Sequence, residues 1–205
     1  MIRHPDALRH AALLTRDNGY SRIREQWDYL TIAMKLPHVI SLLTKDRGKR
    51  PTELELSSAT GLARGQIRRC KLLIDLPQKY KEMLLEELKQ PKPKQRLSED
   101  LFIEIERALK TVGRVMPSVL RDKDSAREIL IAKYKGGVIG NIVDLRKVAT
   151  IARAEQVGAD GAAAEKAIRR LVTDPTYSIT QAFSDTVSAR LLPIFRRDRQ
   201  HSIDK

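Results

Sequence analysis

A single glycine, Gly61, separates two stretches of helical periodicity in residues 51–77, PTELELSSATGLARGQIRRCKLLIDLP. Thr52 and Glu55 have the spacing of a capping box, which predicts that a short helix begins there. Gly61 accepts the positive φ that a tight turn between two helices requires. A second helix is predicted to follow the turn, so this stretch is limited to two short helices that cross closely.

The second helix, predicted over residues 63–75, has an apolar inner face and a basic outer face. The inner face has the spacing i, i+4, i+7 and i+11, and its residues are Ala63, Ile67, Cys70 and Ile74. The outer face includes Gly65, Arg68, Arg69 and Leu72, with Arg64 and Gln66 at the helix start. Ser57 is expected to be the small residue where the two helices cross, and Leu62 a buried turn residue.

Basic residues are concentrated around this second helix. The chain has a net charge of +13, and residues 62–96 contain ten Lys or Arg against four Asp or Glu, which gives +6 on 35 residues. A concentrated positive surface is the expected electrostatic footprint of a polyphosphate partner. For the charge alone, an anionic membrane or an ordinary solvated surface is the competing interpretation.

The glycine turn, the small residue, the apolar inner face and the basic outer face together predict a helix-turn-helix over residues 52–75. In that architecture the second helix enters the major groove of double-stranded DNA with its N-terminal residues at base edges. Arg can bind guanine through two hydrogen bonds, and Gln can bind adenine. The predicted DNA-binding residues are Thr52, Arg64, Gly65, Gln66, Arg68, Arg69, Lys71 and Lys79.

The rest of the chain is also predicted to be helical. Aromatic residues make up only 4% of the sequence, which favours a core of Leu, Ile, Val and Ala, and no strand alternation is found. Ile23, Trp27, Leu30 and Met34 are expected on one face of a helix that Pro37 ends or restarts. Helices are predicted over about 5–18, 21–36, 38–44, 78–88, 99–112, 125–134, 142–156, 161–173 and 177–192. The expected fold class is therefore all-α, a helix-turn-helix domain followed by a helical C-terminal bundle.

Two regions are predicted, residues 1–134 with the helix-turn-helix and residues 135–205 as a helical C-terminal region. The helices predicted at 142–192 carry more apolar positions than a small DNA-binding domain needs. Either they bury one another in a monomeric bundle, or one face pairs with a second copy, because symmetric dimers are common. The predicted partners are therefore double-stranded DNA and, in the second case, a second copy of the chain.

The run TELELSSATGLARGQIRRCKLLIDLPQKYKEMLLEE, residues 52–87, resembles the central DNA-binding domain of ParB-type chromosome and plasmid partition proteins. The similar segments are LELSSATGL, QIRRCKLLIDLP, YKEMLLEE and RLSEDL, and the resemblance covers roughly residues 21–110. It implies sequence-specific DNA binding in partition or transcription regulation, in the cytoplasm at the nucleoid or a plasmid. The family's Arg-rich nucleotide-binding motif does not precede residue 21, so nucleotide-driven clamping and nuclease activity are not carried over. A fragment, a shortened relative and a trimmed chain are the open interpretations of this departure.

No catalytic residue, metal or cofactor is predicted, so an enzyme is the weaker hypothesis. The four histidines and the single cysteine lack metal-ligand spacing, and KGGVIGN lacks the Lys-Ser/Thr ending of a phosphate-binding loop. Asp100, Glu104 and Glu106 are interpreted as helix-start and surface charges, and Cys70 as a small buried thiol. No stretch approaches 18 uninterrupted apolar residues, so no membrane span is expected. The alternative function is a helical interaction module that places its basic surface on an acidic protein or a membrane.

Overall fold

The computed structural model describes residues 28–188 of the chain, and every regular element in that range is helical. This confirms the predicted all-α class. The helix predicted at 5–18, the residues Ile23 and Trp27, and the end of the last predicted helix lie outside the described residues.

The chain divides into two compact units, residues 1–99 and 100–205. The described helices of the first unit are α1 (Tyr29–Arg47), α2 (Glu53–Thr60), α3 (Arg64–Ile74) and α4 (Gln78–Lys89), followed by a 3-10 turn at Lys92–Lys94. The second unit begins at Asp100, the second residue of α5 (Glu99–Val115). Its other helices are α6 (Lys123–Lys135), α7 (Leu145–Ala152), α8 (Gly161–Leu171) and α9 (Ile179–Phe183). Shorter 3-10 turns lie at Ile142–Asp144 and Ala154–Val157, and a π-helical turn lies at Ser184–Ser188.

The boundary between the two compact units lies after Glu99, whereas the sequence analysis placed the boundary between regions after Tyr134. The helices before and after Tyr134 share one compact unit, and hydrogen bonds join them. Glu104 on α5 accepts a hydrogen bond from Arg146 on α7, and Lys133 on α6 donates to the carbonyl of Leu171 on α8.

The core of the first unit forms where α1 packs against α3. Leu30 and Leu36 of α1 are fully buried, but Met34 is 57% exposed, so its predicted place on the face of Leu30 is wrong. Helix α1 continues through Pro37, which the sequence interpretation expected to end or restart it. Pro37 itself is exposed while Leu36 and Val39 on either side are buried. Core burial therefore outweighs the hydrogen bond that proline removes.

The turn between α2 and α3 has the local structure that the sequence predicts. The Thr52 backbone N–H donates to Glu55 Oε2 at 2.7 Å, and the Glu55 N–H donates to Thr52 Oγ1 at 3.3 Å, which confirms the capping box. Gly61 has a φ of 73° and ends α2. The Ser57 hydroxyl donates to the carbonyl of Leu62 at 2.7 Å and so connects α2 to the turn. Leu62 is half-buried rather than buried.

The inner face of α3 differs from its predicted composition at both ends. Ile67, Cys70 and Leu73 are fully buried, whereas Ala63 is exposed and Ile74 is half-buried. Ala63 is the N-cap residue rather than part of the helix. The buried residues therefore follow steps of three from Ile67, whereas the predicted offset of eleven from Ala63 gave Ile74 the core position that Leu73 occupies.

The second unit buries ionised side chains, which the sequence interpretation placed on the surface. Glu106 is 2% exposed, and its carboxylate accepts bonds from Arg127 Nε at 2.7 Å and Lys123 Nζ at 2.7 Å. Glu104 is 6% exposed and accepts from Arg107 at 2.7 Å and Arg146 at 3.2 Å. The interpretation of both as surface charges is wrong, because α5 is covered on the sides that carry them and each carboxylate is matched by basic partners.

A buried lysine joins α6 to the end of α8. Lys133 is 1% exposed, and its Nζ donates to the carbonyl oxygens of Leu171 at 2.6 Å and Tyr177 at 2.7 Å. Burial disfavours the charged ammonium and lowers the pKa of Lys133 to about 8 from its ordinary value of 10.5. Lys133 thus caps the last carbonyl of α8, that of Leu171, and also binds the segment that leads to α9.

The two glycines of the α2–α3 segment should respond oppositely to alanine. Gly61→Ala should lower the free energy of unfolding by about 1–2 kcal/mol, because an L side chain is strained at a φ of 73°. Gly65→Ala should raise it by up to about 1 kcal/mol, because Gly65 is helical and a Cβ there meets nothing within 4 Å. Urea denaturation of both variants checks this, and equal effects would contradict the account of the turn.

The stability contributed by Lys133 should rise with pH between about 8 and 10.5, its folded and ordinary pKa values. In that window the unfolded chain binds more protons than the folded chain, so the free energy of unfolding increases with pH. Lys133→Met should abolish this rise and should also cost about 1–3 kcal/mol, because two buried carbonyls lose their donor. Urea denaturation at several pH values, with the exposed Lys135→Met as control, measures it. An unchanged pH slope in Lys133→Met would contradict the assignment.

Candidate nucleic-acid interface

Three basic residues of α3 follow one another at helical spacing and are named here the α3 basic row: Arg64, Arg68 and Lys71. Arg64 is exposed, the Arg68 side chain is 58% exposed, and the Lys71 side chain is 33% exposed. The intervals of four and three residues put their side chains on one side of the helix. The structure thus brings together three of the eight residues predicted to contact DNA.

An acidic residue of α2, Glu53, faces this row. Arg68 Nε donates to Glu53 Oε2 at 2.8 Å, and Lys71 Nζ lies 3.6 Å from Glu53 Oε1. The hydrogen bond from Arg68 is the main cause that holds the pKa of Glu53 below its ordinary value, and the charges of Arg68, Lys71 and Arg64 lower it further. One carboxylate therefore interacts with all three members of the α3 basic row.

The sequence analysis did not predict that Glu53 belongs to this surface. Glu53 and Glu55 both lie in the first turn of α2, and spacing alone does not tell which one faces α3. In the structure Glu55 instead completes the capping box and binds Arg47 Nη1 at 2.6 Å. Hydrogen bonds from Thr52 lower the pKa of Glu55 most, with smaller contributions from the charges of Arg47 and Lys49.

Gln66 and Arg69 are half-buried, and each side chain contacts another part of the first unit. The Gln66 Oε1 atom accepts a hydrogen bond from the Ala63 N–H at 2.9 Å, so this side chain caps the start of α3. The Arg69 guanidinium lies 4.8 Å from the centroid of the Tyr29 ring on α1, and Arg69 is half-buried. The predicted outer-face position of Arg69 is therefore wrong, because the aromatic ring on α1 attracts the cation toward the helix pair.

The remaining predicted residues are exposed at helix starts. Thr52 is the exposed N-cap of α2, Gly65 lies in the first turn of α3, and Lys79 lies in the first turn of α4. The Lys79 ammonium lies 4.8 Å from the centroid of the Tyr80 ring. The neighbouring Lys81 ammonium donates to the carbonyl of Ile74 at 2.7 Å and so caps the end of α3.

A further basic group was missed in the turn between α1 and α2. Lys49 and Arg50 are exposed and directly precede Pro51 and the Thr52 cap. The run KDRGKRP at residues 45–51 contained the signal, since it places four basic residues beside the predicted helix-turn-helix. Exposed basic residues of the first unit therefore lie both before α2, at Lys49 and Arg50, and after it, at Arg64.

The single cysteine of the chain, Cys70, is buried in α3. Burial raises the pKa of the Cys70 thiol to about 11, so the reactive thiolate is disfavoured and the prediction of a buried thiol is confirmed. Within residues 28–188, no group of three His, Cys, Asp or Glu side chains is arranged to hold a metal ion. In the same range, none of the helices combines the length and apolarity that crossing a membrane requires.

Comparison with known proteins assigned the chain to no family. Protein-family models, curated proteins and solved structures gave no match to the chain. The similarity to ParB-type proteins thus stays a prediction carried by the motifs of residues 52–87. The arrangement of α2, α3 and their charged side chains is the observation on which a function can be built.

Proposed function

We propose that the chain binds double-stranded DNA through α2 and α3, which act as a helix-turn-helix with α3 in the major groove. The observation that carries the proposal is the α3 basic row, with Arg64 and Arg68 exposed, on the second of two helices joined by a positive-φ glycine. In helix-turn-helix proteins this second helix presents its N-terminal residues to base edges. The order of elements and the placement of the charges both support that assignment.

The first turns of α3 have the properties that close approach to bases requires. Arg64 and Arg68 are exposed at the N-terminal half of the helix, and Arg can bind guanine O6 and N7 through two hydrogen bonds. Gly65 lies between them, and a Cβ there would meet nothing of the protein within 4 Å. A glycine on an open surface lets the helix backbone come nearer to a base or phosphate than any other residue would.

Phosphate contacts would come from the residues around the two helices. In this architecture the first helix crosses the DNA backbone, and Thr52, Lys49 and Arg50 surround the N-terminus of α2. The partial positive charge of a helix N-terminus favours a phosphate at that place. Lys79, at the start of α4, is the corresponding basic residue after α3.

The setting we propose is partition or transcription regulation, with the protein in the cytoplasm at the nucleoid or a plasmid. The resemblance of residues 52–87 to the ParB-type DNA-binding domain supports this setting. The proposal is limited to DNA recognition and includes no nucleotide-driven step.

Binding should be salt-dependent, and it should separate the basic residues into two classes. The affinity for duplex DNA should fall steeply as salt rises, because each phosphate contact releases counterions. Arg68→Ala should cost about 1–3 kcal/mol on duplexes selected from genomic fragments and less on random duplexes. Lys79→Ala should weaken both equally if Lys79 meets phosphate. Fluorescence anisotropy at two salt concentrations measures these affinities.

The matched control for these variants is Lys89→Ala, which removes an exposed lysine at the far end of α4 that pairs with Glu86. Its effect should be small on both duplexes. Equal losses on selected and random duplexes for Arg68→Ala would make Arg68 a backbone contact. Salt-independent binding, or binding to acidic proteins or anionic vesicles without preference for DNA, would favour the alternative interaction module.

Two copies of the chain should assemble on a symmetric DNA site. One helix-turn-helix covers few base pairs, and proteins of this kind commonly bind two half-sites about one helical turn apart. In the second unit the predicted apolar positions largely bury one another, including Leu145, Val148, Ile151, Ile168 and Leu171. Among the described residues of that unit, the exposed large apolar side chains are Val115 and Val143.

Because these apolar side chains are buried within the second unit, we expect two copies of the chain to pair only on DNA, and not through a broad apolar face. Light scattering should give the mass of one chain in the absence of DNA and of two chains on a palindromic duplex. A truncated duplex with one half-site is the control and should bind one chain. A single chain on every duplex would contradict the homodimer on DNA.

A further inference from the structure

Glu53 is placed so that it neutralises part of the surface that is proposed to meet DNA. Both of its carboxylate oxygens are engaged, with Oε2 accepting from Arg68 Nε at 2.8 Å and Oε1 lying 3.6 Å from Lys71 Nζ. Arg64 is near enough for its charge to lower the pKa of Glu53 as well. An acidic residue inside a phosphate-binding surface lowers the affinity of that surface for phosphate. Glu53 is therefore expected to have a role other than binding the DNA backbone.

The atoms that Arg68 uses show what that role can be. The guanidinium carries five N–H donors, of which Nε bears one and the two terminal nitrogens bear four. The bond to Glu53 is made through Nε. It leaves the pair of terminal nitrogens, the edge that binds guanine O6 and N7, without a bond to Glu53. The Arg68 side chain is 58% exposed while it is held in this way.

The charge of Glu53 acts differently on phosphates and on guanine. A phosphate brought to Arg68 or Lys71 comes close to the Glu53 carboxylate, and the like charges repel. Guanine is neutral and offers acceptor atoms to a guanidinium that is already oriented. Interfaces gain specificity by repelling the wrong partner as well as by binding the right one.

We propose that Glu53 is a specificity-determining residue that orients Arg68 toward guanine and discourages the α3 basic row from binding phosphates. This inference rests on the proposed DNA-binding function. Glu53 acts through Arg68 and Lys71, so it is a positioning residue rather than a base contact. It raises discrimination between DNA sequences and lowers the affinity for DNA in general.

A merely structural role for the Glu53 ion pair is the competing explanation. The α2–α3 segment is already held by the Gly61 turn, by the bond from Ser57 to Leu62, and by burial of Leu56 against the core. Solvent reaches the Glu53–Arg68 pair, whose side chains are 28% and 58% exposed, and such ion pairs add little to stability. Glu53→Gln should therefore leave the urea midpoint almost unchanged, while a structural role predicts a lower midpoint and no change in discrimination.

The test compares Glu53→Gln with wild type on a random duplex and on duplexes selected from genomic fragments that the wild type retains. Glu53→Gln should bind the random duplex about three- to ten-fold more tightly. Its plot of log affinity against log salt should steepen by about one, because a base freed from Glu53 neutralises a further phosphate. Affinity for the selected duplex should rise less, so that the ratio between the two duplexes falls.

Glu86→Gln is the matched control, because it makes the same charge change at an exposed ion pair on α4. It should shift both duplexes equally and slightly. The double variant Glu53→Gln/Arg68→Ala adds a second readout. If Glu53 acts through Arg68, the carboxylate change should lower discrimination no further once Arg68 is absent.

The outcomes separate this inference from the proposed function. Wild type that binds no duplex, or that binds all duplexes alike, overturns the proposed function and the inference with it. Wild type with sequence preference, combined with a Glu53→Gln variant that behaves like Glu86→Gln, overturns only the role of Glu53. A lower discrimination ratio with a steeper salt dependence supports both.

Discussion

Gly61 adopts a φ of 73°, and the position of α3 relative to α2 depends on that one backbone angle. The left-handed conformation ends α2 after Thr60 and lets α3 begin at Arg64. The hydrogen bond from Ser57 to the Leu62 carbonyl and the burial of Ile67 then hold α3 in place. Only with α3 held so do Arg68 and Lys71 lie within reach of Glu53.

The two units use charge in different ways. Among the described residues, the first unit keeps most of its basic side chains at the surface, and one carboxylate, Glu53, binds two of those on α3. The second unit buries its ion pairs, such as Glu106 with Arg127, and caps α8 with the ammonium of Lys133. A buried pair broken by removing one partner costs about 3–5 kcal/mol, so these charges constrain the fold. The proposed DNA-binding surface lies on the unit whose charges are exposed.

Local backbone chemistry is what could be predicted from the sequence. The capping box of Thr52 and Glu55, the glycine turn and the all-α class each depend on residues close together in the chain, and each is confirmed. The resemblance to ParB-type proteins, the DNA partner and the pairing of two copies stay predictions.

Features that depend on distant contacts could not be predicted from spacing. Pro37 lies inside α1 because core residues on either side of it are buried, and Arg69 lies against Tyr29, forty residues earlier in the chain. The buried carboxylates Glu104 and Glu106 looked like surface charges because their partners come from elsewhere on the chain, Arg146 and Arg127 among them. Glu53 was missed for the same reason, because the basic side chains that it contacts, Arg68 and Lys71, lie on α3 and not on its own helix.

The most direct test of the central claim is a nuclear magnetic resonance titration of the labelled chain with duplex DNA. The account predicts that amide shifts concentrate in residues 64–71, with a second group at Thr52 and its neighbours. Shifts confined to the second unit, or spread evenly over both units, would contradict the assignment of the interface to α2 and α3.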